Sequence, residues 1–99
     1  MGLEEMLNEN LRLAMLLSLF EGGGYSMNDS MLYTYLCSIG HNHSRDKIRA
    51  QLSWLAEQNL VTLSGPEGVM VATLTERGDD VAHARANCPG VKRPSPRKS

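Results

Sequence analysis

The sequence predicts a mainly α fold with one small β-hairpin, on three observations. Ser44 to Val61, SRDKIRAQLSWLAEQNLV, joins an N-capping serine to apolar residues at helical spacing. Thr62 to Gly78, TLSGPEGVMVATLTERG, holds two β-prone runs around a Gly/Pro turn and ends where another helix starts. Two further amphipathic stretches lie upstream, parted by a glycine run. The resulting order, α-α-α-β-β-α, is that of a winged helix-turn-helix domain over residues 1–90, with a basic, disordered tail over 91–99.

The elements follow in order. Leu3, Met6, Leu7, Leu11, Ala14, Met15 and Leu17 recur at three and four residues, which predicts a helix over Leu3–Phe20. Glu4 and Glu5 suit the positive end of its dipole, and Gly22-Gly23-Gly24 stop it. Ser26 or Asn28 caps a second helix to about Ile39, with Met31, Leu32, Tyr35, Leu36 and Ile39 as its apolar face. Gly40 ends it, and His41-Asn42-His43 form a polar turn. Ser44 caps the third helix, whose apolar face is Ile48, Leu52 and Leu55. Asn59 is suited to a left-handed C-terminal position. Val61–Leu63 and Val69–Leu74 are the hairpin strands. Thr75 caps a last helix to about Asn87, and Cys88-Pro89-Gly90 end it. VKRPSPRKS lacks apolar periodicity.

Composition narrows the function classes. A chain of 99 residues suggests one domain. No apolar run reaches the ~18–20 residues that span a bilayer, and Glu4 and Glu5 stand where a secretory signal carries bases. These features predict a protein of the bacterial cytoplasm. Cys37 and Cys88 have no metal or redox spacing, and Cys37 falls on an apolar stripe as a buried free thiol. His41 and His43 lack the companions of a metal site, and no nucleophile motif or catalytic carboxylate pair occurs. The expectation is no metal, no cofactor and no catalysis. Acids exceed bases by five over residues 1–91, whereas 92–99 hold four bases and no acid.

The charged residues of the third helix are the candidate site. Arg45, Lys47 and Arg49 lie in its first turns, where a helix entering the major groove reaches bases and phosphates. Ser44 and Ser53 are phosphate-contact candidates, and Lys92 and Arg93 begin a basic arm along the duplex. Asp46 and Glu57 on the same helix, and Glu67 in the hairpin tip, oppose a polyanion.

Two resemblances add to this reading. LSWLAEQNLV (Leu52–Val61) resembles the recognition-helix end and wing start of bacterial winged-helix regulators of the ArsR and MarR types. LTERG (Leu74–Gly78) resembles their Leu-Thr-x-x-Gly helix entry. GYSMNDS (Gly24–Ser30), GHNHSRD (Gly40–Asp46), the same LSWLAEQNLV, VMVATLTERG (Val69–Gly78) and PGVKRP (Pro89–Pro94) together are similar to a small protein family of Mu-like prophages. That resemblance implies the winged-helix fold and a phage setting. The clustered Cys/His sites of ArsR-type metal sensors have no counterpart here, so metal sensing is not carried over. The leading expectation is a phage transcriptional regulator that binds double-stranded DNA, as a homodimer through its first and last helices. The competing one is a winged-helix protein–protein interaction module in a phage assembly or host-takeover complex.

Overall fold

The computed structural model describes residues 2–22 and 24–94. Its elements are α1 (Leu3–Glu21), β1 (Ser26–Asn28), α2 (Asp29–Ser38), α3 (Arg45–Glu57), β2 (Val61–Ser64), β3 (Val71–Leu74) and α4 (Glu76–Ala82). The fold is mainly helical, but its order is α-β-α-α-β-β-α. The hairpin is the larger part of a three-stranded antiparallel sheet ordered β1-β3-β2.

The additional strand, β1, pairs Ser26 with Thr73, Met27 with Ala72 and Asn28 with Val71. Ser26 Oγ lies 2.7 Å from Thr73 Oγ1 across that pair. Three residues between a glycine turn and a helix cap are too few to show a period of two, so the strand has no sequence signature of its own. β3 starts at Val71 rather than Val69, because Val69 N–H turns back to the Pro66 carbonyl at 2.9 Å.

Helix starts follow side-chain chemistry. Asn28 Oδ1 accepts from Met31 N–H, Ser44 Oγ from Lys47 N–H, and Thr75 Oγ1 from Gly78 N–H. Gly78 has a further role, since a Cβ there would strike the Leu60 carbonyl. Asn59 takes the left-handed conformation, with φ of 64°, just past α3. α4 ends at Ala82 instead of Asn87. Ala84 turns left-handed at φ 64°, and Arg85 N–H closes back on the Asp80 carbonyl at 2.8 Å.

One core joins the elements. Leu11, Met15, Leu16 and Leu19 of α1 meet Leu32 and Leu36 of α2 and Ile48, Leu52 and Leu55 of α3. Leu60, Val61, Ala72, Leu74, Val81 and Cys88 close it. Burying each Leu, Val or Met is worth roughly 1.5–3 kcal/mol relative to exposure. Several expected core positions face outward: Leu3, Met6 and Leu7 on α1, Met31 on α2 and Ile39 just past its end. Cys37 is half-buried and Cys88 is the buried thiol, because the chain after α4 folds back against α1. Val91 is buried and Lys92 N–H bonds the Glu9 carbonyl at 3.2 Å, so structured chain continues past residue 90. The rest of the expected tail, residues 95–99, lies outside the described residues.

Candidate functional site

Helix α3 presents a core face, an exposed crest and two edges. Ile48, Gln51, Leu52 and Leu55 face the core. The exposed crest is Asp46, Ala50, Ser53 and Glu57. The cations stand on the two edges between, because residues at 100° steps place Arg45 and Arg49 beside α2 and Lys47 beside α1.

The arginine edge is organised by one carboxylate. Asp29, in the first turn of α2, is 3% exposed, and its Oδ2 accepts from Arg49 at 2.6 Å and Arg45 at 3.0 Å. Burial pushes the Asp29 carboxyl up, but the hydrogen bonds and charges of Arg45 and Arg49 outweigh it and hold the group below its ordinary value. The guanidiniums themselves stay accessible, with Arg45 half exposed and Arg49 about a third.

The opposite edge gathers bases from three elements. Lys47 Nζ donates to Asn8 Oδ1 of α1 at 2.7 Å. Lys92 is anchored through its backbone to Glu9, the next residue of α1, with Lys92 and Arg93 exposed. His41 and His43 face each other with ring centroids 6.4 Å apart. Burial, then the charges of Lys47 and His41, hold the His43 imidazole below its ordinary value. Lys92, His41 and His43 line a groove of about 580 Å³ along α1. Among the candidate residues Arg45 and Arg49 share Asp29, Lys47 stands on the other edge of α3 against α1, and Lys92 and Arg93 lie on the segment after α4, anchored to α1 through the Lys92 backbone. Ser44 serves as the α3 cap, and Ser53 lies on the crest between them.

Two features were missed in the sequence. Asp29 reads there as an ordinary first-turn acid. Arg12 reads as an interruption of an apolar helix, yet it is 8% exposed and joins three segments. Its Nε donates to Gln51 Oε1 at 2.7 Å, its Nη1 donates to the Gly90 carbonyl at 2.8 Å, and its guanidinium lies 4.0 Å from the Trp54 ring centroid. Partners 39 and 78 positions away leave no local trace. Among the described residues no group of three His, Cys, Asp or Glu could hold a metal ion, and no helix is long and apolar enough to cross a membrane.

Fold and site define a small helical domain with a three-stranded sheet and cations along both edges of one exposed, capped helix. Over 95 residues, 96% of this chain and 98% of that protein, the sequence is 48% identical to the uncharacterized protein gp26 of Escherichia phage Mu. Over 78 residues, 78% of this chain and 76% of that protein, it is 41% identical to an uncharacterized protein of Haemophilus influenzae. The chain therefore belongs to the family of the Mu protein gp26. No family model and no solved structure matches it.

Proposed function

We propose that this chain is a winged-helix protein that binds double-stranded DNA, a regulator within a phage gene set, with α3 as the helix in the major groove and the β2–β3 hairpin as the wing. The observation that carries the proposal is the placement of cations on both edges of α3. A helix lying in the major groove turns its crest to the bases and its edges to the two phosphate backbones. Arg45 and Arg49 then meet one strand, and Lys47 with Lys92 and Arg93 meets the other. The small crest residues Ala50 and Ser53 allow close approach. Cations at the edges favour phosphate contact over base readout, so binding is salt-sensitive and weakly sequence-selective.

Fluorescence-anisotropy titration of phage genomic fragments tests this. The informative variant is Lys47→Ala/Lys92→Ala/Arg93→Ala, which leaves the buried Asp29 paired and the fold intact. Loss of most affinity at low salt is expected. Unchanged affinity, or no binding by the parent chain, removes the proposal. The second reading, a protein-contact module, is favoured by one observation: Asp46 and Glu57 on the crest and Glu67 at the hairpin tip are all exposed acids. It predicts that pull-down from induced cells recovers a protein free of nucleic acid.

A further inference from the structure

The groove along α1 differs in charge from the rest of the molecule. Its floor is aliphatic, with Leu7, Leu13, Ala14 and Leu17 spread over about 15 Å of the α1 axis. Leu13, Ala14 and Leu17 pack against the core on one side and open to the groove on the other, so the floor is fixed. The α2–α3 turn adds His41 and His43 to the lining, and the segment after α4 adds Lys92. The chain holds 11 Asp and Glu, yet none of them lines this space.

The basic side chains of the groove are not committed to acids of the protein. Among the described residues the ion pairs gather at Arg12, at Asp29 and around Asp79, and Lys92, His41 and His43 take part in none of them. The charges of Lys47 and His41 act on His43 in the same direction as its burial, with no carboxylate to offset them. Both carriers of these groups are held by backbone bonds. Lys92 N–H bonds the Glu9 carbonyl at 3.2 Å, and His41 N–H bonds the Leu36 carbonyl at 2.8 Å. Donors fixed in this way lose little freedom when a ligand arrives.

We infer that the groove binds a free straight-chain carboxylate, with its head at Lys92, His41 and His43 and its chain along the aliphatic floor of α1. A volume of about 580 Å³ is that of a small-molecule site. The two halves of the lining select the two halves of the ligand. An inorganic anion leaves the four aliphatic residues uncovered, and a neutral hydrocarbon leaves the ammonium and imidazoles without an acceptor. A carboxylate on an apolar chain satisfies both. Lys92 gives it a charge-assisted hydrogen bond, and an imidazole donates from a ring nitrogen even when neutral. No Phe, Tyr or Trp lines the groove to stack on a ring, which favours an alkyl body over an aryl one.

Isothermal titration calorimetry of the full chain with octanoate, octanol, octylamine and acetate reads this chemistry. Octanoate is expected to bind saturably, one per chain. Octanol keeps the chain but loses the charge-assisted bond, and is expected to bind at least about tenfold more weakly. Octylamine, protonated at neutral pH, and acetate, which lacks the chain, are expected to give no saturable heat. Lys92→Ala/His43→Ala is expected to lower octanoate affinity to that of octanol. Leu7→Glu, at a position 50% exposed, sets a carboxylate at the groove and is expected to weaken octanoate at least about tenfold with an unchanged melting temperature. Amide NMR spectra are expected to shift at Leu13, Ala14, His41 and His43 on adding octanoate, and not at Gly65 and Gly68 of the hairpin. A parent chain that binds no octanoate overturns the inference. So do equal affinities for octanoate and octanol, affinity unchanged in both variants, or shifts centred on the hairpin. None of these measurements contains DNA, so their outcome is independent of the proposed function.

Discussion

The Asp29 cluster responds differently according to which partner is removed. Asp29→Asn leaves two guanidiniums that already reach water and can hydrate, and is expected to cost about 1–2 kcal/mol. Arg45→Ala/Arg49→Ala leaves a carboxylate that is 3% exposed with both partners gone, and is expected to cost about 3–5 kcal/mol. Urea unfolding of the two variants checks the ranking, and a reversed order would show that the Asp29 carboxylate is not left uncompensated when its two arginine partners are removed. The same cluster sets an acid limit. Asp29 is held below its ordinary value, so its contribution is fully present above about pH 4 and is lost as pH falls through the folded-state value. His43 acts in a higher window. Its folded-state value is also lowered, so the unfolded chain takes up the proton first and stability declines as pH falls below about 6.5. Thermal melts between about pH 8 and 3 should show both declines. His43→Gln is expected to flatten the upper one and Asp29→Asn the lower.

At the scale of elements, the segment after α4 forms a strap held by side chains of α1 and α3. Gly90 has φ of 97°, and a Cβ there would meet the Trp54 ring at 2.7 Å, while its carbonyl accepts from Arg12. Gly90→Ala is therefore expected to destabilise by about 1–3 kcal/mol through backbone strain and displacement of the indole. A red shift of the single tryptophan's emission would accompany the loss of its Arg12 stack. Arg12→Lys is expected to shift it in the same direction, because an ammonium cannot hold Gln51, Gly90 and the ring face at once. An unchanged emission spectrum in both variants would show that the strap does not depend on this clamp. These two features also mark the boundary of what the sequence discloses. Elements with local signals were legible: the caps Asn28, Ser44 and Thr75, the α3 core face, and the Gly/Pro turn of the hairpin. β1 was not, because its partner β3 lies more than forty residues away and its own three residues carry no period. The strap was not, because Val91 and Gly90 are fixed by side chains of α1 and α3. At the site, residue type and helix position found Arg45, Lys47 and Arg49. Their division onto two edges, with Asp29 between the arginines, is a tertiary fact that periodicity alone does not carry.

The whole molecule sets an acidic body against a few local cations. Over residues 1–91 acids exceed bases by five, and two of those acids, Asp46 and Glu57, occupy the α3 crest that the proposed DNA complex turns towards the bases. Long-range repulsion is screened beyond about 8–10 Å at physiological salt, so binding depends on the charges nearest the groove rather than on the net charge. Removing crest acids and removing edge cations should therefore act in distinguishable ways. Asp46→Asn/Glu57→Gln keeps every phosphate contact, so it is expected to raise affinity several-fold while leaving the slope of log K against log salt unchanged. Lys47→Ala/Lys92→Ala/Arg93→Ala removes three contacts, so it is expected to reduce that slope by about 2.7, near 0.9 for each contact on B-form DNA. Titrations of the parent and both variants at four or more salt concentrations separate the two effects. A crest variant that binds no better, together with an unchanged slope in the edge variant, would place DNA elsewhere on the molecule or exclude it, and would leave the acidic crest as a surface for a basic protein partner.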